Sequence, residues 1–214
     1  MAYALPEKLV ADAFACGQLP HPNGPVTMKV VEIAELVVTS NSIVATDPIV
    51  ISMIKPFTQR VPNGRHAVSL AIARFGTDER IAFARVQFSK RTPVTWKMAV
   101  IDDQDPASLE HGNFFGYGVD GATGCFMDYE AGALMGQRYR EEGPYFAFGD
   151  LIIDAMEASY RETRQWGVVH PIEGRDENIV CFTTGYGDGA YPSFFGFAAD
   201  GAVAQLVTDF RLFS

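Results

Sequence analysis

Cysteine is scarce in this 214-residue chain: Cys16, Cys125 and Cys181 are widely separated and form no C-x-x-C pair. A zinc knuckle and a disulfide framework are thereby excluded, and reduced thiols in a cytoplasmic setting are expected. Cationic side chains are also few, with 17 Lys and Arg against 26 Asp and Glu, a net charge of −9. The densest basic stretch, Lys90-Arg91 with Lys97 beyond, is too short for a nucleic-acid footprint, so no such partner is expected. No apolar run approaches the roughly 20 residues of a bilayer span, and no membrane partner is expected either. Met1 to Glu7 lacks the basic and apolar regions of a secretory leader. The four histidines, at 21, 66, 111 and 170, include no i,i+4 pair, and neither a G-x-S-x-G elbow nor a P-loop occurs.

What remains is an ordinary globular composition, 48% hydrophobic and 20% charged, which argues against disorder. Sixteen phenylalanines and 20 glycines favour short strands joined by tight turns. Pro6 and Glu7, then Leu9/Ala13 and Val10/Phe14, predict a short N-terminal helix that Gly17 closes. Strands are expected at Val26–Val31, Glu35–Thr39 and Ile49–Ile54, the last stopped by Pro56. Val68–Arg74 and Arg80–Phe88 flank Gly76-Thr77-Asp78-Glu79 as a hairpin, and Val94–Ile101 adds a strand.

Two helices follow. One is capped by Asp128 and runs to Gly143-Pro144. The other is capped by Asp150, with Ile152, Ala155, Met156, Ser159, Tyr160 and Thr163 as its inner stripe and Gly167 as its stop. The chain closes with strands at Ile179–Thr184, Ser193–Ala198 and Val203–Leu212, the last two joined by an Asp200-Gly201 turn. The expected fold is α+β: one domain over residues 1–214, predominantly antiparallel β-sheet and sandwich-like, with its weakest seam at 102–112.

The run Gly185-Tyr186-Gly187-Asp188-Gly189-Ala190 satisfies G-x-G-x-x-[G/A], a dinucleotide fingerprint. Such a loop must open a helix whose amides face the phosphates. Pro192 and the strand-like Ser193–Phe197 leave no room for one. The glycines are therefore read as positive-φ positions in a bend between two neighbouring antiparallel strands, turned by the Asp188 side chain.

This run continues through Tyr191-Pro192, Phe194, Gly196, Asp200-Gly201 and Asp209-Phe210 as one distinctive block. A second is Phe115-Gly116-Tyr117-Gly118-Val119-Asp120-Gly121-Ala122-Thr123-Gly124-Cys125-Phe126-Met127-Asp128, and a third is Val61–Val68. Together they resemble the mainly bacterial family labelled domain of unknown function 4241. The resemblance implies one soluble domain and no reaction, so it transfers no catalytic residue.

The chemistry left to weigh is acidic. Asp120, Asp128, Asp188, Asp200 and Asp209 all stand beside glycine or at element ends. Three converging carboxylates, Asp120, Asp128 and Asp188, could hold Mg²⁺ or Ca²⁺ and support hydrolysis. Each also has structural work available as a cap or turn residue. Cys125 could act as a nucleophile only with His66 or His170 beside it, and a buried core thiol is the simpler reading. The preferred function is a non-enzymatic binding or interaction domain without a cofactor, engaging a protein or small ligand. The metal-dependent hydrolase is the alternative. Candidate ligand contacts are Arg65, Asp120, Thr123, Asp188, Tyr191 and Asp209.

Overall fold

The computed structural model describes residues 1–22, 24–49, 54–142, 149–171 and 173–213. In chain order the elements are α1 (Glu7–Phe14), β1 (Gln18–Leu19), β2 (Val26–Val38), β3 (Ile43–Thr46), β4 (Gly64–Phe75), β5 (Asp78–Gln87) and β6 (Thr95–Met98). They continue with β7 (Tyr117–Val119), β8 (Thr123–Asp128), α2 (Tyr129–Glu142), α3 (Gly149–Glu157) and β9 (Trp166–Val169). The last are β10 (Ile179–Thr183), β11 (Gly189–Tyr191), β12 (Ser193–Phe197) and β13 (Val203–Asp209).

All strand pairing is antiparallel. A seven-stranded sheet has the order β1-β2-β4-β5-β13-β12-β6, a four-stranded sheet the order β3-β8-β10-β9, and β7 pairs with β11 as a separate ribbon. Strand alternation sends each sheet's apolar residues to two faces. Leu70, Ile81, Val86, Phe195 and Leu206 of the large sheet meet Phe126, Val180 and Phe182 of the small one in a shared core. The far side of the small sheet packs Cys125, Met127, Ile179 and Cys181 against Met135 of α2 and Ile152 and Met156 of α3. The far side of the large sheet packs Phe83, Phe194 and Val207 under α1 and both chain ends. The α+β fold with one early helix and two later ones is as the sequence predicts.

Several local expectations differ. Val26–Val31 and Glu35–Thr39 belong to one strand, β2, whose register against β4 shifts between Glu32 and Ala34. The polar residues at that point are the exposed face of a bulged strand rather than a turn. Asp150 lies in the first turn of α3 and does not precede it. That helix ends at Glu157, leaving Ser159, Tyr160 and Thr163 beyond it. Thr163 instead donates its hydroxyl to the Glu79 carbonyl, 2.6 Å away, tying this segment to the β4–β5 hairpin.

Gly167 is no helix stop but a residue of β9. A Cβ there would stand 2.5 Å from the Ala155 backbone, so only glycine lets α3 lie on β9. Of the expected strand Ile49–Ile54, residues 50–53 lie outside the described residues, as does the Gly143-Pro144 helix end. The edge of the small sheet is the earlier β3.

The glycine run also differs from expectation in one respect. No helix follows it, since Gly189–Tyr191 is a strand. The strands it joins are not neighbours, however: β10 pairs with β8 and β9, whereas β11 pairs with β7. Because β7 leads into β8, two strands leave the small sheet together, bend side by side and re-pair as the ribbon. Paired bends of this kind are invisible to single-segment turn rules, because each depends on the other chain segment.

Candidate functional site

The paired bends are residues 120–122 and 184–188. Thr184 donates its amide to the Ala122 carbonyl at 3.2 Å, and Ala122 donates its own to Asp188 Oδ1 at 2.9 Å. Asp188 thus ties the two bends together and does not turn its own loop. The second anchor, Asp47, is a residue that the sequence reading missed. Its Oδ2 accepts the amides of Asp120 at 2.9 Å and Gly121 at 2.7 Å, while its Oδ1 accepts that of Ile49 at 2.8 Å. Asp47 is buried, and its signal in the sequence is the Asp47-Pro48 dipeptide, a turn initiator. Thr123 closes the first bend by donating to the Gly121 carbonyl at 2.9 Å. Tyr191 closes the second by donating to the Gly187 carbonyl at 2.7 Å.

The remaining aspartates are held elsewhere. Asp128 is fully buried at the head of α2, accepting the amides of Thr39, Ser40 and Glu130 and the Ser40 hydroxyl. It caps the helix as predicted and also fixes the β2–β3 connection. Asp209 accepts the Tyr3 hydroxyl and the Arg211 amide, each at 2.7 Å. Burial pushes its carboxyl above the ordinary range, against the downward pull of those two donors and the Arg211 charge. Asp200 makes the β12–β13 turn through the Ala202 amide and pairs with Arg91. Arg65 pairs with Asp176 at 2.6 Å on an exposed edge. Among the described residues, no group of three or more His, Cys, Asp or Glu side chains is placed to hold a metal ion.

The thiols are equally occupied. Cys125 and Cys181 face each other across β8 and β10 in the core against α2 and α3. Burial pushes both thiols well up, so neither supplies a thiolate at neutral pH. His66 is far from this pair in role: its Nε2 lies 2.8 Å from the Pro62 carbonyl, and its ring meets Phe88 edge-on.

Open space lies beside the ribbon instead. A cavity of about 210 Å³ opens between β3, the segment after β6, and β7–β11. Thr46, Lys55, Phe57, Gln104, Tyr117 and Tyr191 are among its walls. Of the sequence-predicted contacts, Tyr191 alone lines it. Gly116 makes the wall possible: a Cβ there would stand 2.5 Å from the Tyr191 carbonyl oxygen, so any side chain would force the two segments apart. Lys55 reaches only 3.9 Å from Asp103 Oδ2, a loose exposed pair. Gln104 uses its carbonyl oxygen to accept the Ile101 amide at 3.1 Å, which leaves its NH₂ as a donor. The cavity therefore offers a cation and an amide donor beside aromatic walls.

The sequence model of a family described as protein of unknown function (DUF4241) matches residues 36–208. That span contains β3 to β13 almost entirely, and with them both bends, the ribbon and the cavity. No curated protein and no solved structure is significantly similar to the chain.

Proposed function

The chain belongs to this family of unknown function, and within it we propose a non-enzymatic binding domain that holds a small acceptor-bearing molecule in the ribbon cavity. The observation that carries the reading is a division of labour. The candidate acids Asp128, Asp188 and Asp209 bind main-chain amides, as does Asp47, while the ribbon cavity presents donors. Among the described residues, no carboxylate lines it as a base or metal ligand. A pocket with aromatic walls and a few convergent polar groups is the usual form of a ligand site, and this one has the size of a small metabolite.

The test is a two-dimensional amide NMR titration of the whole chain with acetate, succinate and acetamide. Saturable shifts clustered at Thr46, Gln104, Tyr117 and Tyr191, weakened in Lys55→Met for the two acids, are expected. Shifts scattered over the surface, or none at millimolar ligand, would remove the reading.

A further inference from the structure

A second site, independent of the cavity, lies on the outer face of the seven-stranded sheet. Strand alternation directs Arg85 and Gln87 of β5, Gln205 of β13 and Trp96 of β6 to the same side, the side that α1 partly covers. Between α1 and the loop at 89–93 they enclose a groove of about 570 Å³. An arginine in the middle of a central strand needs a partner, because a guanidinium carries five donors and a fixed charge. Among the described residues, Arg85 has none of the ordinary kind. Its Cζ lies 4.0 Å over the Phe14 ring, and its buried Nε–H has no acceptor. Glu32 stands two strands away across Ser69 and makes no ion pair with it. Burial accordingly pulls the Arg85 pKa down, partly offset by that distant carboxylate.

Cations outnumber carboxylates in the lining of the groove. Lys8, Arg85, Lys90 and Arg91 line it against the single carboxylate of Glu7, in a protein of net charge −9. Lys8 and Arg91 have carboxylate partners in Asp12 and Asp200, which leaves Arg85 and Lys90 as cations without one among the described residues. The far end is apolar. At Gly196 an added Cβ would stand 2.9 Å from Pro93 Cβ and 3.0 Å from the Trp96 ring. The missing side chain lets Pro93 and the indole lie down on the sheet surface, as one wall of the groove. A fork of N–H donors backed by a phenyl ring, a second cation at the rim and a flattened indole define a ligand with two parts.

We infer that the groove beneath α1 binds a small aromatic anion, its carboxylate or phosphate on Arg85 and Lys90 and its ring against Trp96. The Nη donors of Arg85, for which the described residues supply no acceptor, then meet the ligand's oxygens. The bidentate match between guanidinium and either anion sets the orientation, with the ring turned toward Trp96 at the far end of the groove.

The experiment titrates the intact chain with benzoate, phenyl phosphate and benzylamine, following the Trp96 indole N–H and Arg85 Nε–H resonances. Saturable shifts at both are expected with at least one anion, and the tighter of the two assigns the head group. Benzylamine is expected to leave both unmoved. Arg85→Gln should weaken anion binding about tenfold or more, since a charge-assisted pair is lost. Lys90→Glu, at an exposed rim and harmless to folding, should weaken it several-fold and decides the matter if the first variant does not fold. The inference is overturned if neither anion moves these resonances, if benzylamine moves them equally, or if Lys90→Glu and Arg85→Gln bind as the parent does. Shifts at Tyr191 and Gln104 in place of Trp96 would overturn it while supporting the cavity.

Discussion

At the ribbon, negative charge meets backbone: Asp47 holds the amides of Asp120, Gly121 and Ile49, and Asp188 holds that of Ala122. In the groove under α1, positive charge meets a phenyl ring: Arg85 lies over Phe14 with no carboxylate partner among the described residues. Both regions set charged groups against aromatic rings and glycine. They differ in whether the charge is satisfied within the fold. A carboxylate holding two amides has little left for chemistry, whereas a cation with open donors is available to a ligand. The same contrast separates acidic residues held by the fold from cations left with open donors.

The sharpest ways to break this comparison act on the scaffold. Gly116→Val and Gly167→Val should prevent native folding, because each Cβ would stand 2.5 Å from backbone atoms of another segment. Their circular dichroism and melting curves check this, and a parent-like melt would mean the segments can part cheaply. Next comes Asp128→Ala, which strands three amides and a hydroxyl at a fully buried point. A loss of about 3 kcal/mol is expected in chemical denaturation. Asp188→Ala, breaking one bond at an exposed loop, should cost only about 1 kcal/mol.

Two smaller effects follow. Burial holds the His66 pKa below the ordinary histidine value of 6.5, so the unfolded chain takes up its proton first. The stability His66 contributes is whole above pH 6.5 and falls as the pH drops through that value toward the folded pKa. Denaturation of parent and His66→Gln at successive pH values should show the acid slope reduced in the variant. Arg65→Ala removes an exposed pair with Asp176 and should change stability by less than about 1 kcal/mol. A larger loss would mean that this exposed edge is better ordered than its solvation implies.

The parts of the fold legible in the sequence are those whose signals are local. The β4–β5 and β12–β13 hairpins announce themselves by Gly76 and by Asp200-Gly201, and both glycines have the positive φ that their turns require. The α1 periodicity and the Asp128 cap are equally local. Strands β3, β7, β9 and β11 were not legible, being three or four residues long and defined by partners distant in the chain. Gly167 shows how one residue misleads: its neighbours suggest a helix end, yet its reason lies in Ala155 across an interface. Of the candidate residues, Asp120, Thr123, Asp188 and Tyr191 come from the two glycine blocks and lie at the paired bends and the ribbon. Asp47, which anchors that neighbourhood, was passed over because nothing near it in sequence shares its task. Arg85 lies inside the expected strand Arg80–Phe88, and its missing partner shows only when three strands, a helix and a loop are assembled around it.

The central claim is that the ribbon carboxylates serve the chain itself, and divalent cations test it most directly. Melting of the intact protein in millimolar Mg²⁺, Ca²⁺ and Mn²⁺, against ionic-strength controls, should leave the midpoint unchanged, since no ligand set stabilises the folded state by mass action. A saturable rise in Tm that disappears in Asp120→Asn or Asp188→Asn would contradict the claim and return the aspartates to catalysis.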